Sequence, residues 1–249
     1  MAGGRAPLAT ALALALATVG ALAARAAAAD DATPPPEAPI VTLRVPGDQP
    51  VEVVEGPPDS SRVIVYLHGL CGDPLAFRSW SSAAARFGTL ISLRGDERCP
   101  DAPGRMKWSY NHDRTNRRIS AAIKLIDDAR RARGAVPLDG TRLTAIGYSQ
   151  GAKRVEWLAG RFPERFVRVA MVAGAFKPSP WRLSRHARFL IVGGALDERR
   201  HLVEGRDELA RAGLTVRYLE LPKARHGEYG PEGHAAMTDA LVWLFKNLP

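Results

Sequence analysis

Three residue types that together perform nucleophilic acyl transfer occur in this chain in the order Ser149, Asp197, His226. Ser149 is the centre of Gly147-Tyr148-Ser149-Gln150-Gly151, a G-x-S-x-G pattern. A serine hydroxyl is a weak nucleophile until a base takes its proton, which an imidazole within hydrogen-bond reach can do. A carboxylate on the other ring nitrogen then fixes the tautomer and stabilises the imidazolium as it forms. Asp197 closes the run Gly193-Gly194-Ala195-Leu196-Asp197, and His226 lies in Lys223-Ala224-Arg225-His226-Gly227. Glu198 is the neighbouring alternative acid. His234 is the alternative base, although it falls inside a predicted helix.

These residues act together only if the elements before them deliver them to one edge of a sheet. Residues 141–146 form a β-rich run that ends in the serine pattern, so the pattern predicts a sharp strand-to-helix turn that exposes the hydroxyl. The glycines flank the serine because side chains there would collide. Further strands are predicted at residues 62–67, 89–93, 166–173, 188–192 and 214–221, after an opening hairpin of residues 40–45 and 51–55 around Pro46-Gly47-Asp48. Helices are predicted at residues 75–87, 115–133, 150–161, 198–212 and 231–248. Ile119, Ala122, Ile123, Ile126 and Ala129 give residues 115–133 a clear apolar stripe, and Gly134 stops that helix. Residues 94–116 are expected to form an irregular excursion, long enough to be functional. Strands alternating with helices predict an α/β fold, mostly parallel, with helices on both faces and the site at the carboxyl edge.

The amino terminus has its own signature. Arg5, an Ala/Leu run over residues 8–24, then Arg25 and the small residues 26–29 predict a cleaved secretory signal peptide. Residues 30–39 are acidic and proline-rich and are expected to form a disordered leader. One domain, residues 40–249, remains. The expected localisation is secreted or periplasmic, with no stable membrane anchor.

The formal charge is +9, of which Arg5 and Arg25 contribute two that cleavage would remove. Arginines outnumber lysines 29 to 6 and are scattered along the chain, with no basic helix interleaved with aromatic residues, so no nucleic-acid partner is predicted. Cys71 and Cys99 are the two cysteines. Each follows a predicted strand end, so an exported chain is expected to pair them. The histidines and acids show no metal-ligand spacing, and neither a metal nor another cofactor is expected.

Together the G-Y-S-Q-G elbow, the His68-Gly69 loop after the third strand, and Asp197 and His226 after successive later strands resemble the α/β-hydrolase superfamily over residues 40–249. The resemblance implies a sheet of about eight strands and a serine hydrolase with a Ser149, Asp197, His226 triad. It places the oxyanion donors at the backbone N–H groups of Leu70 and Gln150, and gives His68 a structural role. The family's lid usually enters where this chain has only about fourteen residues, 174–187, so no large cap is expected. Tyr148, Trp108, Phe176 and Trp181 are candidate pocket walls. A small or polymeric carboxylic ester is the expected substrate. The alternatives are a peptidase or amidase with the same triad, and a catalytically silent binding protein. Oligomeric state is not legible.

Overall fold

Strands whose residues are apolar on both faces lie in the middle of one sheet. These are β3 (Val63–Leu67), β4 (Thr89–Leu93), β7 (Leu143–Tyr148), β8 (Phe166–Val172) and β9 (Arg188–Gly194), buried along almost their whole length. With β1 (Val41–Leu43), β2 (Val51–Val54) and β10 (Thr215–Leu221) they form an eight-stranded sheet in the order β1-β2-β4-β3-β7-β8-β9-β10. The β1/β2 and β2/β4 pairings are antiparallel, and all others are parallel. This computed structural model describes Met1 and residues 36–246. The expected signal peptide and the leader as far as Pro35 lie outside the described residues.

Two apolar layers cover the sheet. On one face α2 (His112–Arg131), α3 (Gln150–Arg161) and α4 (Arg200–Arg211) bury Ile119, Ile126, Val155, Leu158, Leu202 and Leu209 against Val65, Leu67 and Ala145. On the other, α1 (Ser81–Phe87) and α5 (Gly233–Phe245) pack Ala83, Ala84, Met237 and Leu241 against Ile64, Tyr66 and Ile146. Alternate residues of β3 thus serve opposite layers, which is the period-2 geometry of a strand. Between β8 and β9 there is only a 3₁₀ turn, Pro180–Arg182, so the described residues carry no large cap. No helix among them is long and apolar enough to cross a membrane.

Three expected elements differ. Helix 75–87 is helical only from Ser81, because the Asp73 side chain accepts the Leu75 N–H at 2.8 Å and turns the chain before a 3₁₀ turn at Arg78–Trp80. The excursion contains a small hairpin, β5 (Glu97–Arg98) with β6 (Met106–Lys107). Helix α2 begins at His112, three residues before its predicted start, because the Asn111 carboxamide accepts the Arg114 N–H at 2.9 Å and caps it. Cys71 and Cys99 form a disulfide with Cα atoms 5.8 Å apart. It joins the loop after β3 to the hairpin rather than to the end of β4.

Candidate active site

The turn from β7 into α3 leaves Ser149 at φ 50° and ψ −110°, a conformation that L side chains rarely adopt. Its neighbours explain the two glycines. A Cβ on Gly151 would stand 2.0 Å from the Leu67 carbonyl oxygen, and one on Gly147 would stand 2.2 Å from the Gly151 oxygen. The Ser149 N–H donates to Val172 O at 2.8 Å, tying the turn to β8.

The loops after β9 and β10 are laced together below the site. The Ala195 N–H donates to Leu221 O and the Leu196 N–H to Ala224 O, each at 2.9 Å. Asp197 and His226 therefore emerge side by side. The Asp197 carboxylate accepts from His226 Nδ1 at 2.8 Å, and His226 Nε2 lies 3.1 Å from Ser149 Oγ. Glu198 instead accepts the Arg200 N–H at 2.9 Å, and His234 sits on α5 with its carbonyl bonded to Thr238. Neither alternative joins the cluster.

His68 is buried next to the site, and both ring nitrogens are in use. The Gly95 N–H donates to Nε2 at 2.9 Å, so the proton is on Nδ1, which donates to Gly69 O at 2.7 Å. Burial, only partly opposed by that backbone bond, pushes its pKa down to about 4 and keeps the ring neutral. Gly69 O also accepts the Gly72 N–H at 3.0 Å. Holding this carbonyl from one side turns the N–H of the same peptide, that of Leu70, the opposite way.

Tyr148, next to the serine, is buried and anchors the histidine loop. Its hydroxyl accepts the Gly227 N–H at 2.7 Å and donates to Glu228 O at 3.3 Å. Burial raises its pKa to about 12, so the phenol stays protonated. Tyr148 lines a cavity of about 350 Å³ with Tyr66, Leu70, Asp73, Ala76 and Ser149.

The other expected pocket walls lie elsewhere, Phe176 with its ring under the Lys153 ammonium at 4.1 Å. Trp108 is 1% exposed; its indole N–H donates to His68 O at 2.8 Å, so it is a buried brace under the β3 loop. The Gln150 carboxamide holds the Trp108 main chain, accepting its N–H at 3.0 Å. Trp181 is 95% exposed and lines a separate groove on the α3 flank. Sequence reasoning missed Tyr66, Asp73 and the bracing side chain of Gln150. Local patterning carries no signal for these, since each depends on contacts across the sheet.

Solved structures share this architecture. A fluorophosphonate-binding serine hydrolase of Staphylococcus aureus, FphF, superposes with a TM-score of 0.58 at 14% identity, covering 85% of this chain and all of that one. A Bacillus cereus carboxylesterase gives 0.55 at 18% identity, covering 78% of this chain and 94% of that one. This chain has the α/β-hydrolase fold. A Pyrobaculum calidifontis esterase matches at 0.56 and 14% identity, covering 84% and 86% of the two chains. No family model matches the sequence, and no curated protein does. Within the α/β-hydrolase frame, the Ser149, Asp197 and His226 cluster occupies the carboxyl edge where crossover loops leave a parallel sheet. Among the described residues no group of histidine, cysteine and acidic side chains could hold a metal ion.

Proposed function

We propose that the protein is an exported serine hydrolase that cleaves carboxylic esters through an acyl-enzyme on Ser149. The observation that carries this is the unbroken hydrogen-bond chain from Asp197 through His226 to a serine oxygen on a strained turn. Ser149 Oγ attacks the ester carbon as its proton passes to His226 Nε2, and the carbonyl electron pair moves onto oxygen. Collapse breaks the C–O bond, and His226 returns the proton to the departing alkoxide. Water then repeats the sequence and releases the acid. Asp197 holds the imidazolium through Nδ1.

The oxyanion is met by the N–H of Leu70, aimed by the clamp on the Gly69 carbonyl, and by the N–H of Gln150, the first residue of α3, where the helix dipole adds positive potential. Esters suit a small uncapped pocket, since their alkoxide leaving groups depart more readily than those of amides. Export is supported by the amino-terminal Arg5-to-Ala29 pattern and by the disulfide, which persists in oxidising compartments.

A fluorophosphonate probe on the oxidised protein tests this. Ser149 is expected to label, and Ser149→Ala is expected to abolish labelling and to lower ester turnover by about five orders of magnitude. Folded protein that does not label overturns the hydrolase reading. Faster cleavage of amides than of matched esters would replace the esterase by an amidase.

A further inference from the structure

A larger concavity than the one at Ser149 lies on the flank of α3. It is an open groove of about 890 Å³ that runs between α2, α3 and the Pro180–Arg182 turn. Two large rings stand at its rim in solvent, Trp181 at 95% and Tyr110 at 80% exposure. So much apolar ring area left in water on a surface otherwise rich in charge marks a contact site.

Two of the rings, Tyr110 and Trp157, are held by stacked cations and a stacked imidazole. Tyr110 lies over the Arg154 guanidinium at 4.0 Å. Arg154 is itself 2% exposed, and its Nε and Nη1 find no acceptor among the described residues. At the floor, the Trp157 ring is stacked on His112 at 5.3 Å and 18°, with the Arg182 guanidinium 4.4 Å from its centroid. A ring held in this way presents a flat face without first losing rotamer freedom, which lowers the cost of binding.

The polar groups around these rings are planar. Asp113 and Arg161 form a two-pronged pair, both bonds 2.8 Å, beside the Asn111 carboxamide. A pyranose unit has a C–H face that lies flat on an aromatic ring and a rim of hydroxyls that pair with such planar groups. The charge is unbalanced: Asp113 pairs with Arg161, and the buried Glu156 with Lys153 at 2.7 Å and Arg182 at 3.8 Å, while the buried Arg154 makes no ion pair among the described residues. Burial first, and then the fields of Arg154 and Arg161, hold His112 below its ordinary pKa. A positive groove favours sugars that carry carboxylates. It does not offer the line of free cations that a nucleic-acid backbone requires, since Arg161 is held by Asp113 and Arg154 is roofed by Tyr110.

We propose that this groove binds a strand of carboxylated polysaccharide, with Tyr110 and Trp181 as its stacking platforms. Where Ser149 acts as proposed above, the strand also carries the ester. Trp157 is about 10 Å along α3 from Gln150, the span of two or three sugar units at the helical rise. Binding itself does not depend on catalysis.

The test uses the full chain with Ser149→Ala, titrated calorimetrically with oligogalacturonates at low salt. Trp181→Ala and Tyr110→Ala are each expected to weaken binding about tenfold. Neutral xylo-oligosaccharides of equal length are expected to bind about tenfold more weakly than the acidic strand, and added salt to reduce the difference. On the Ser149 background, both variants are expected to label with fluorophosphonate as the parent does, which separates the groove from the triad. Unchanged affinity in both variants, equal binding of neutral strands, or no binding overturns the proposal. Tighter binding of oligothymidylate overturns it in favour of nucleic acid.

Discussion

The pocket at Ser149 and the groove along α3 lie on the same helix, yet they are built in opposite ways. The pocket is backbone engineering: strained φ at Ser149, glycines that no methyl group could replace, a carbonyl clamped by a buried histidine. The groove is a surface assembly, in which side chains of two helices and one turn stack on each other in solvent. The first arrangement fixes atoms to fractions of an ångström, as bond making requires. The second fixes only planes, which is sufficient for a ligand recognised by its faces. Perturbations of the core should therefore damage the pocket and spare the groove.

The largest such perturbation is loss of the disulfide. Cys71 follows Leu70 directly and has φ 50°, so the bridge to Cys99 pins the end of the segment that carries the proposed oxyanion donor. Closing a 28-residue separation contributes about 3 to 4 kcal/mol through the unfolded chain. Cys71→Ser with Cys99→Ser is expected to lose that much in denaturant titrations, and to lose ester turnover at temperatures where it remains folded. Tyr110 should hold its place, because Asp96 accepts both the Ser109 N–H at 2.8 Å and its hydroxyl at 2.7 Å. Oligogalacturonate affinity that falls in step with turnover would erase the distinction between the two regions.

His68 gives the next effect, and its sign is definite. Its pKa is about 4 when folded against an ordinary value of 6.5, so between those values the unfolded chain binds a proton that the folded one does not. Stability is therefore complete above pH 6.5 and falls as pH drops towards 4, by about 3 kcal/mol over that window. Other groups titrate there too, so the comparison is with His68→Asn, whose stability profile should be flatter by that amount. Parallel profiles in the two proteins would mean that the ring is not held neutral by the Gly95 and Gly69 contacts.

How much of this could be read from sequence follows the same division. The elbow, the parallel strands and the Ser149, Asp197, His226 order were legible because each rests on local pattern: β-branched runs, a five-residue motif, loops at strand ends. The excursion at residues 94–116 was not, since its hairpin and the early start of α2 depend on Asn111 and on pairing across nine residues. Aromatic residues were the least legible. Trp108 and Trp181 look alike as letters, but one is a buried brace that donates to His68 O and the other stands in water. Only the tertiary arrangement decides which face of a loop a ring takes.

The smallest expected effect tests how finely the pocket is set. Tyr148 is the one expected pocket residue that does line the cavity, and its hydroxyl also bonds to two successive residues of the loop that carries His226. Tyr148→Phe keeps the ring and removes only the oxygen, leaving the Gly227 N–H without its acceptor. The cost to stability is about 1 to 2 kcal/mol, the net worth of the two bonds that the oxygen makes. The cost to chemistry should exceed the cost to binding, because His226 must lie on the Ser149 proton while the substrate touches the ring alone. For a small ester, kcat is expected to fall about tenfold with KM unchanged, and fluorophosphonate labelling to slow by a similar factor. Binding of the acidic strand should not move. A loss confined to KM would make the phenol a substrate contact rather than a positioning residue, and an unchanged kcat would show that the interlaced loops after β9 and β10 hold His226 without it.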